Sequence, residues 1–149
     1  MVAEVPAKAL PIDNTSLKGM LIKHEGLRLF PYLCPAGKLT VGVGRNLTDT
    51  GISIDEAMDL LENDISRVTR ELEDNFPWFM VLNKARREAL VDMCFNLGLS
   101  RFRKFSKMIE ALQRDDFAIA AKEMLSSRWA QQVGKRAAEL ARIMLEGKP

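Results

Sequence analysis

Ser53-Ile54-Asp55-Glu56 opens the stretch that most constrains this chain. A serine three residues ahead of a glutamate can form a capping box: the hydroxyl caps a helical amide and the glutamate reaches back to the serine amide. Behind it, Ala57, Met58, Leu61, Ile65, Val68 and Leu72 recur at helical spacing on one face. The pattern predicts a helix from Ser53 to about Asp74, before Pro77 breaks it. About 20 residues make a rod of about 30 Å. Such a rod divides the chain. Before it the pattern turns toward strands, and after it everything reads helical. The expected class is α+β, mostly α, in a single domain of 149 residues. Its expected parts are a β-bearing lobe at about 14–52, a linking helix at about 53–76 and a helical lobe at about 77–149.

Residues 1–13 read as an extended arm. A helix should start near Asn14 or Thr15, either of which can cap it, with Leu17, Met20, Leu21 and His24 on one face. Gly26 is a natural stop. Glu25 therefore falls in the last turn, beside helix carbonyls that disfavour a charged carboxylate. Pro35-Ala36-Gly37-Lys38 is a turn signal, with a strand expected over Lys38–Gly42. Gly42 and Gly44 suggest close backbone packing or unusual dihedrals and lack the Gly-Lys-Ser/Thr ending of a phosphate loop. Residues 45–52 read as irregular, with a turn at Asp49-Thr50-Gly51.

Past Pro77, Asn83 can cap a helix that turns Ala85, Ala89, Leu90, Met93, Cys94 and Leu97 inward and stops at Gly98. A short helix is expected over Lys104–Leu112. Another follows a cap at Asp115 or Asp116, a short segment runs from Ser127 through Trp129, and a last helix spans Lys135–Leu145.

The net charge of +2 carries no nucleic-acid signature, but it is unevenly spread. Residues 1–99 hold 11 basic and 14 acidic side chains, a net of −3; residues 100–149 hold 11 basic and 6 acidic, a net of +5. The C-terminal third should attract an anionic membrane or wall polymer. Two cysteines, Cys34 and Cys94, are expected as free thiols. No N-terminal apolar run suits a signal peptide or a membrane span, so synthesis in a cytoplasm is expected; a monomer is expected as well.

The chemistry concentrates between Glu25 and Thr40. His24 is the only histidine, and no acid, thiol and imidazole cluster has metal-ligand spacing, so neither metal nor cofactor is expected. Cleaving a glycoside needs an acid to protonate the leaving oxygen and a group on the other face of the sugar. Glu25 can be that acid, or an ordinary helix-end residue. Thr40 can hold a water, and Cys34 can hold one, activate one or attack directly.

Glu25, eight residues, Cys34, five residues, Thr40 resembles the catalytic signature of the phage-type lysozymes, glycoside hydrolase family 24. The flanks His24-Glu25-Gly26-Leu27-Arg28-Leu29 and Thr40-Val41-Gly42-Val43-Gly44 are similar to that family's consensus. Arg86 to Gly98 resembles its central-helix motif, and Ser127-Arg128-Trp129 with Arg136 its C-terminal motif. The resemblance implies a lysozyme-like fold with substrate in a cleft between two lobes. It implies an endolysin that hydrolyses peptidoglycan between N-acetylmuramic acid and N-acetylglucosamine, held in the host cytoplasm until lysis. Glu25 would be the general acid, Thr40 would place the water, and Asn96 and Arg136 would support the substrate, Arg136 close to Glu25. Two positions depart from the family pattern. Cys34 stands where the best-known branch has Asp. Arg45 replaces a frequent histidine, and an ion pair is expected to be lost there. Two rivals remain: a lytic transglycosylase using Glu25 alone, and a catalytically inactive wall-binding module.

Overall fold

The computed structural model describes residues 4–6 and 9–149. The chain parts into two compact units, Met1–Ala57 and Met58–Pro149. The expected arm at residues 1–13 lies partly outside the described residues; within it, Val5 bridges Leu27.

In the first unit, α1 spans Leu17–Glu25. Its cap is Ser16, whose hydroxyl accepts from the Gly19 amide, and not Asn14 or Thr15. Asp13 draws Thr15 into a side-chain turn instead, its carboxylate accepting from both the Thr15 amide and hydroxyl. Gly26 ends the helix at φ 78°, and its amide donates to the Ile22 carbonyl. The helix buries Gly19 and Ile22, not the predicted face: Leu17, Met20 and Leu21 are exposed.

A three-stranded antiparallel sheet follows, β1 (Arg28–Leu33), β2 (Leu39–Gly42) and β3 (Arg45–Asn46), in that order. Tyr32 pairs with Thr40, and Thr40 with Asn46. Strand β3 was hidden in a segment read as irregular, because two residues are too few to show an alternating pattern. The 45–52 segment is further organised by Asp49, which accepts from Asn46 Nδ2 and pairs with Lys38 Nζ at 3.1 Å.

Helix α2 runs from Ile54 to Asn75, across the boundary between the units. The capping box forms in both directions: the Ser53 amide donates to Glu56 Oε1 at 3.0 Å, and the Glu56 amide to Ser53 Oγ at 3.1 Å. Only the C-terminal half of the predicted face is buried. Val68 and Leu72 enter a core, whereas Met58, Leu61 and Ile65 are exposed. Their helical period marks an apolar stripe without telling which part of it is covered.

The second unit holds that core. After a 3₁₀ turn at Phe79–Val81 come α3 (Lys84–Leu97), α4 (Leu99–Phe102), α5 (Ser106–Gln113), α6 (Phe117–Leu125), α7 (Arg128–Val133) and α8 (Lys135–Glu146). Asn83, Asp116 and Ser127 cap α3, α6 and α7, each accepting an amide three residues on. The helix expected from Lys104 starts two residues later, and α4 precedes it with Phe102 fully buried. Leu90, Met93, Phe102, Met108, Met124 and Met144 form the centre of the core. Unbranched methionines suit the irregular gaps of a core built from short helices.

Candidate active site

Glu25 ends α1, and Gly44 lies against it. A Cβ built on Gly44 would sit 2.9 Å from Glu25 Oε2, 3.3 Å from Cδ and 3.4 Å from Cγ. A side chain there would displace the carboxylate. Gly44 also has φ 67°, a conformation that glycine adopts without a steric penalty. The predicted close packing at this glycine is therefore contact with the candidate acid itself.

Thr40 is the one buried polar side chain among the described residues. Its Oγ1 donates to the Lys38 carbonyl at 2.9 Å. The oxygen keeps lone pairs with which to accept from a water.

Cys34, half-buried, lies on the same hairpin: its amide donates to the Lys38 carbonyl at 3.0 Å, and its carbonyl accepts from Gly37. The Lys38 amide, helped by the Ala36 amide and the Thr40 hydroxyl, holds the thiol below its ordinary pKa, against an upward pull from partial burial. The Thr40 proton has two calls on it, the Lys38 carbonyl and the Cys34 sulfur. The neighbouring cations, Lys38 and Arg28, are engaged elsewhere. Lys38 Nζ is paired with Asp49, and the Arg28 guanidinium lies 4.0 Å over the Tyr32 ring.

Arg45 does not forfeit an ion pair, contrary to expectation. Its Nη1 lies 2.7 Å from Glu56 Oε2, and the pair lowers the Glu56 carboxyl to about 2. The long guanidinium arm reaches the first turn of α2 from β3.

Asn96 and Arg136 both belong to the second unit. Asn96 Oδ1 accepts from Trp129 Nε1 at 2.7 Å. Arg136 Nε donates to Asp92 Oδ1 at 2.7 Å, and its Nη2 to the Asp92 carbonyl at 3.1 Å. Arg136 and Asp92 line a groove of about 670 Å³ whose apolar wall includes Leu61, Ile65, Phe79 and Phe95. Asn96 does not line it. Asp92 was passed over in sequence, although it precedes Asn96 by four residues and so shares its side of α3.

An acid at a helix end, with a buried hydroxyl and a thiol of lowered pKa on the adjoining sheet, has the makings of a glycoside hydrolase of the lysozyme type. Residues 22–143 match the family model for phage lysozyme. The chain belongs to the phage lysozyme family.

Among its relatives, the endolysin of Acyrthosiphon pisum secondary endosymbiont phage 1 is 32% identical over 83% of this chain and 86% of that protein. The Dictyostelium discoideum protein named Probable T4-type lysozyme 2 is 26% identical over 89% of this chain and 95% of that protein. The pre-baseplate central spike protein Gp5 of Enterobacteria phage T4 is 30% identical over 95% of this chain. The chain spans only 30% of that spike protein's length.

Proposed function

We propose that this chain is a muramidase that hydrolyses the β-1,4 bond between N-acetylmuramic acid and N-acetylglucosamine, with Glu25 as general acid. The carboxyl gives its proton to the glycosidic oxygen as the bond to the anomeric carbon breaks. A water held by the Thr40 oxygen attacks that carbon, and its proton passes to the Cys34 thiolate. The leaving sugar keeps the proton from Glu25, and the muramic acid residue leaves with a free reducing end. Arg136 and Asn96 are substrate-supporting residues in this reading.

The observation that carries this reading is the packing of the Glu25 carboxylate on Gly44, in the β2–β3 turn of the small sheet whose strand β2 bears Thr40 and whose β1–β2 turn bears Cys34. The wider role is an endolysin: a monomer kept in the host cytoplasm until lysis, then acting on the periplasmic wall, with the basic C-terminal region touching anionic wall or membrane. No helix among the described residues is long and apolar enough to cross a membrane.

Product analysis of digested peptidoglycan tests the chemistry. Reducing muramic acid ends are expected. Predominant 1,6-anhydro ends would replace hydrolysis by transglycosylation, and no cleavage by the folded protein would leave a wall-binding module.

A further inference from the structure

Arg45 bolts the Val43–Gly44 turn to the start of α2. Its Nη1 lies 2.9 and 2.7 Å from the two Glu56 carboxylate oxygens and 3.2 Å from the Gly51 carbonyl. Glu56 is held in turn by the Ser53 amide. One residue before Arg45, Gly44 lies so near Glu25 that a Cβ there would meet the carboxylate at 2.9 Å. A continuous line of contact therefore runs Ser53, Glu56, Arg45, Gly44, Glu25, wholly inside the first unit. It ends on the carboxylate proposed as the acid.

The line has features that a stability staple does not need. The Arg45 and Glu56 side chains are 36% and 43% exposed, and ion pairs in that setting add little to global stability. The capping box needs only the Glu56 oxygen and not its charge. What the guanidinium adds is a fixed distance between the first turn of α2 and the residue that follows Gly44. Few buried side chains in this unit could set that distance otherwise: among its described residues only Gly19, Ile22 and Thr40 are buried.

We propose that Arg45 and Glu56 are positioning residues for the glycosidic acid, their ion pair fixing how the Gly44 backbone seats the Glu25 carboxylate. Neither touches the reacting atoms. The inference rests on the reading of Glu25 as the acid.

The test uses the full chain with Glu56→Gln, which keeps a capping oxygen and removes the charge, with Arg45→Met, and with Arg45→Lys as the conservative variant. Two quantities are read on protein whose circular dichroism is native: the split between kcat and KM on a soluble glycan, and the ¹³C shift of the Glu25 carboxyl carbon at one fixed pH. Misplacing a catalytic group by 1 Å can cost about 10²-fold, so a smaller displacement should lower kcat about tenfold in Glu56→Gln and Arg45→Met. KM should stay within about twofold, consistent with a loss confined to the transition state. The Glu25 carboxyl shift should move in both variants, and Arg45→Lys should recover part of each effect.

Wild-type kcat together with an unmoved Glu25 carboxyl shift in a folded variant would overturn the proposal and leave the pair as a turn staple. If Arg45→Met does not fold, Glu56→Gln and Arg45→Lys give the same two readouts. Full lysis by Glu25→Gln would instead remove the acid assignment, while the carboxyl shift would still decide whether the pair seats Glu25.

Discussion

Trp129 Nε1 donates to Asn96 Oδ1 at 2.7 Å and so joins α7 to α3. The indole is buried, and its N–H has no second way to satisfy itself in water. Asn96 thereby commits one acceptor site of its oxygen to the fold and keeps its amide hydrogens and a second lone pair for a ligand.

Asn96→Leu should therefore act first on stability. Leaving a buried donor unpaired costs about 1–3 kcal/mol, and urea unfolding should report a loss in that range. A raised KM with an unchanged unfolding midpoint would show instead that Asn96 works mainly on the substrate.

Glu25→Gln should keep the fold and abolish most of the activity. The amide cannot protonate a glycosidic oxygen, and losing general acid catalysis alone typically costs about 10²–10⁴-fold. The melting temperature should hold or rise, since active-site groups are often kept at the expense of stability. Near-wild-type lysis by the folded variant would remove Glu25 from the mechanism.

Much of this was legible in the sequence because local chemistry sets it. Ser53-Glu56, Asn83, Asp116 and Ser127 all cap as their residue types and spacing suggest, and Gly26 and Gly98 end α1 and α3. What escaped depends on contacts distant in sequence. Nothing near Gly44 says that its missing side chain makes room for Glu25. Nothing near Arg45 says that Glu56, eleven residues on, is its partner. The period of α2 correctly marked its apolar face but not that Leu61 and Ile65 line a groove while Val68 and Leu72 fill a core. The thiol is tuned by the Lys38 amide, a backbone group invisible to any reading of side-chain types.

The basic C-terminal region should make lysis of cells salt-sensitive. Arg101, Arg103, Lys104 and Lys107 are exposed, and none pairs with a carboxylate among the described residues; Arg103 donates to the Asn75 side chain. Exposed charges are screened over about 8 Å at physiological ionic strength. Replacing all four by Gln should slow lysis of permeabilised Gram-negative cells more than cleavage of a soluble oligosaccharide. Equal slowing of both would place the effect on the fold or the active site.

The two thiols should behave oppositely. Cys34 is half-buried and held below its ordinary pKa by the Lys38 amide, so it should react first with an alkylating reagent. Cys94 is buried, and desolvation raises its pKa from 9.0 to about 11. Folding favours its neutral form, so its contribution to stability is intact below about pH 9 and is lost as pH rises toward 11. At pH 8 a single equivalent of iodoacetamide should label Cys34, found by peptide mapping, with loss of activity in step. Cys94→Ala should keep that inactivation and cost packing stability only. Cys34→Asp should stay active, since a carboxylate can take the water's proton, while Cys34→Ala should lose most activity. Full activity in folded Cys34→Ala would mean that the thiol fills space and that the Thr40 oxygen alone orients the water.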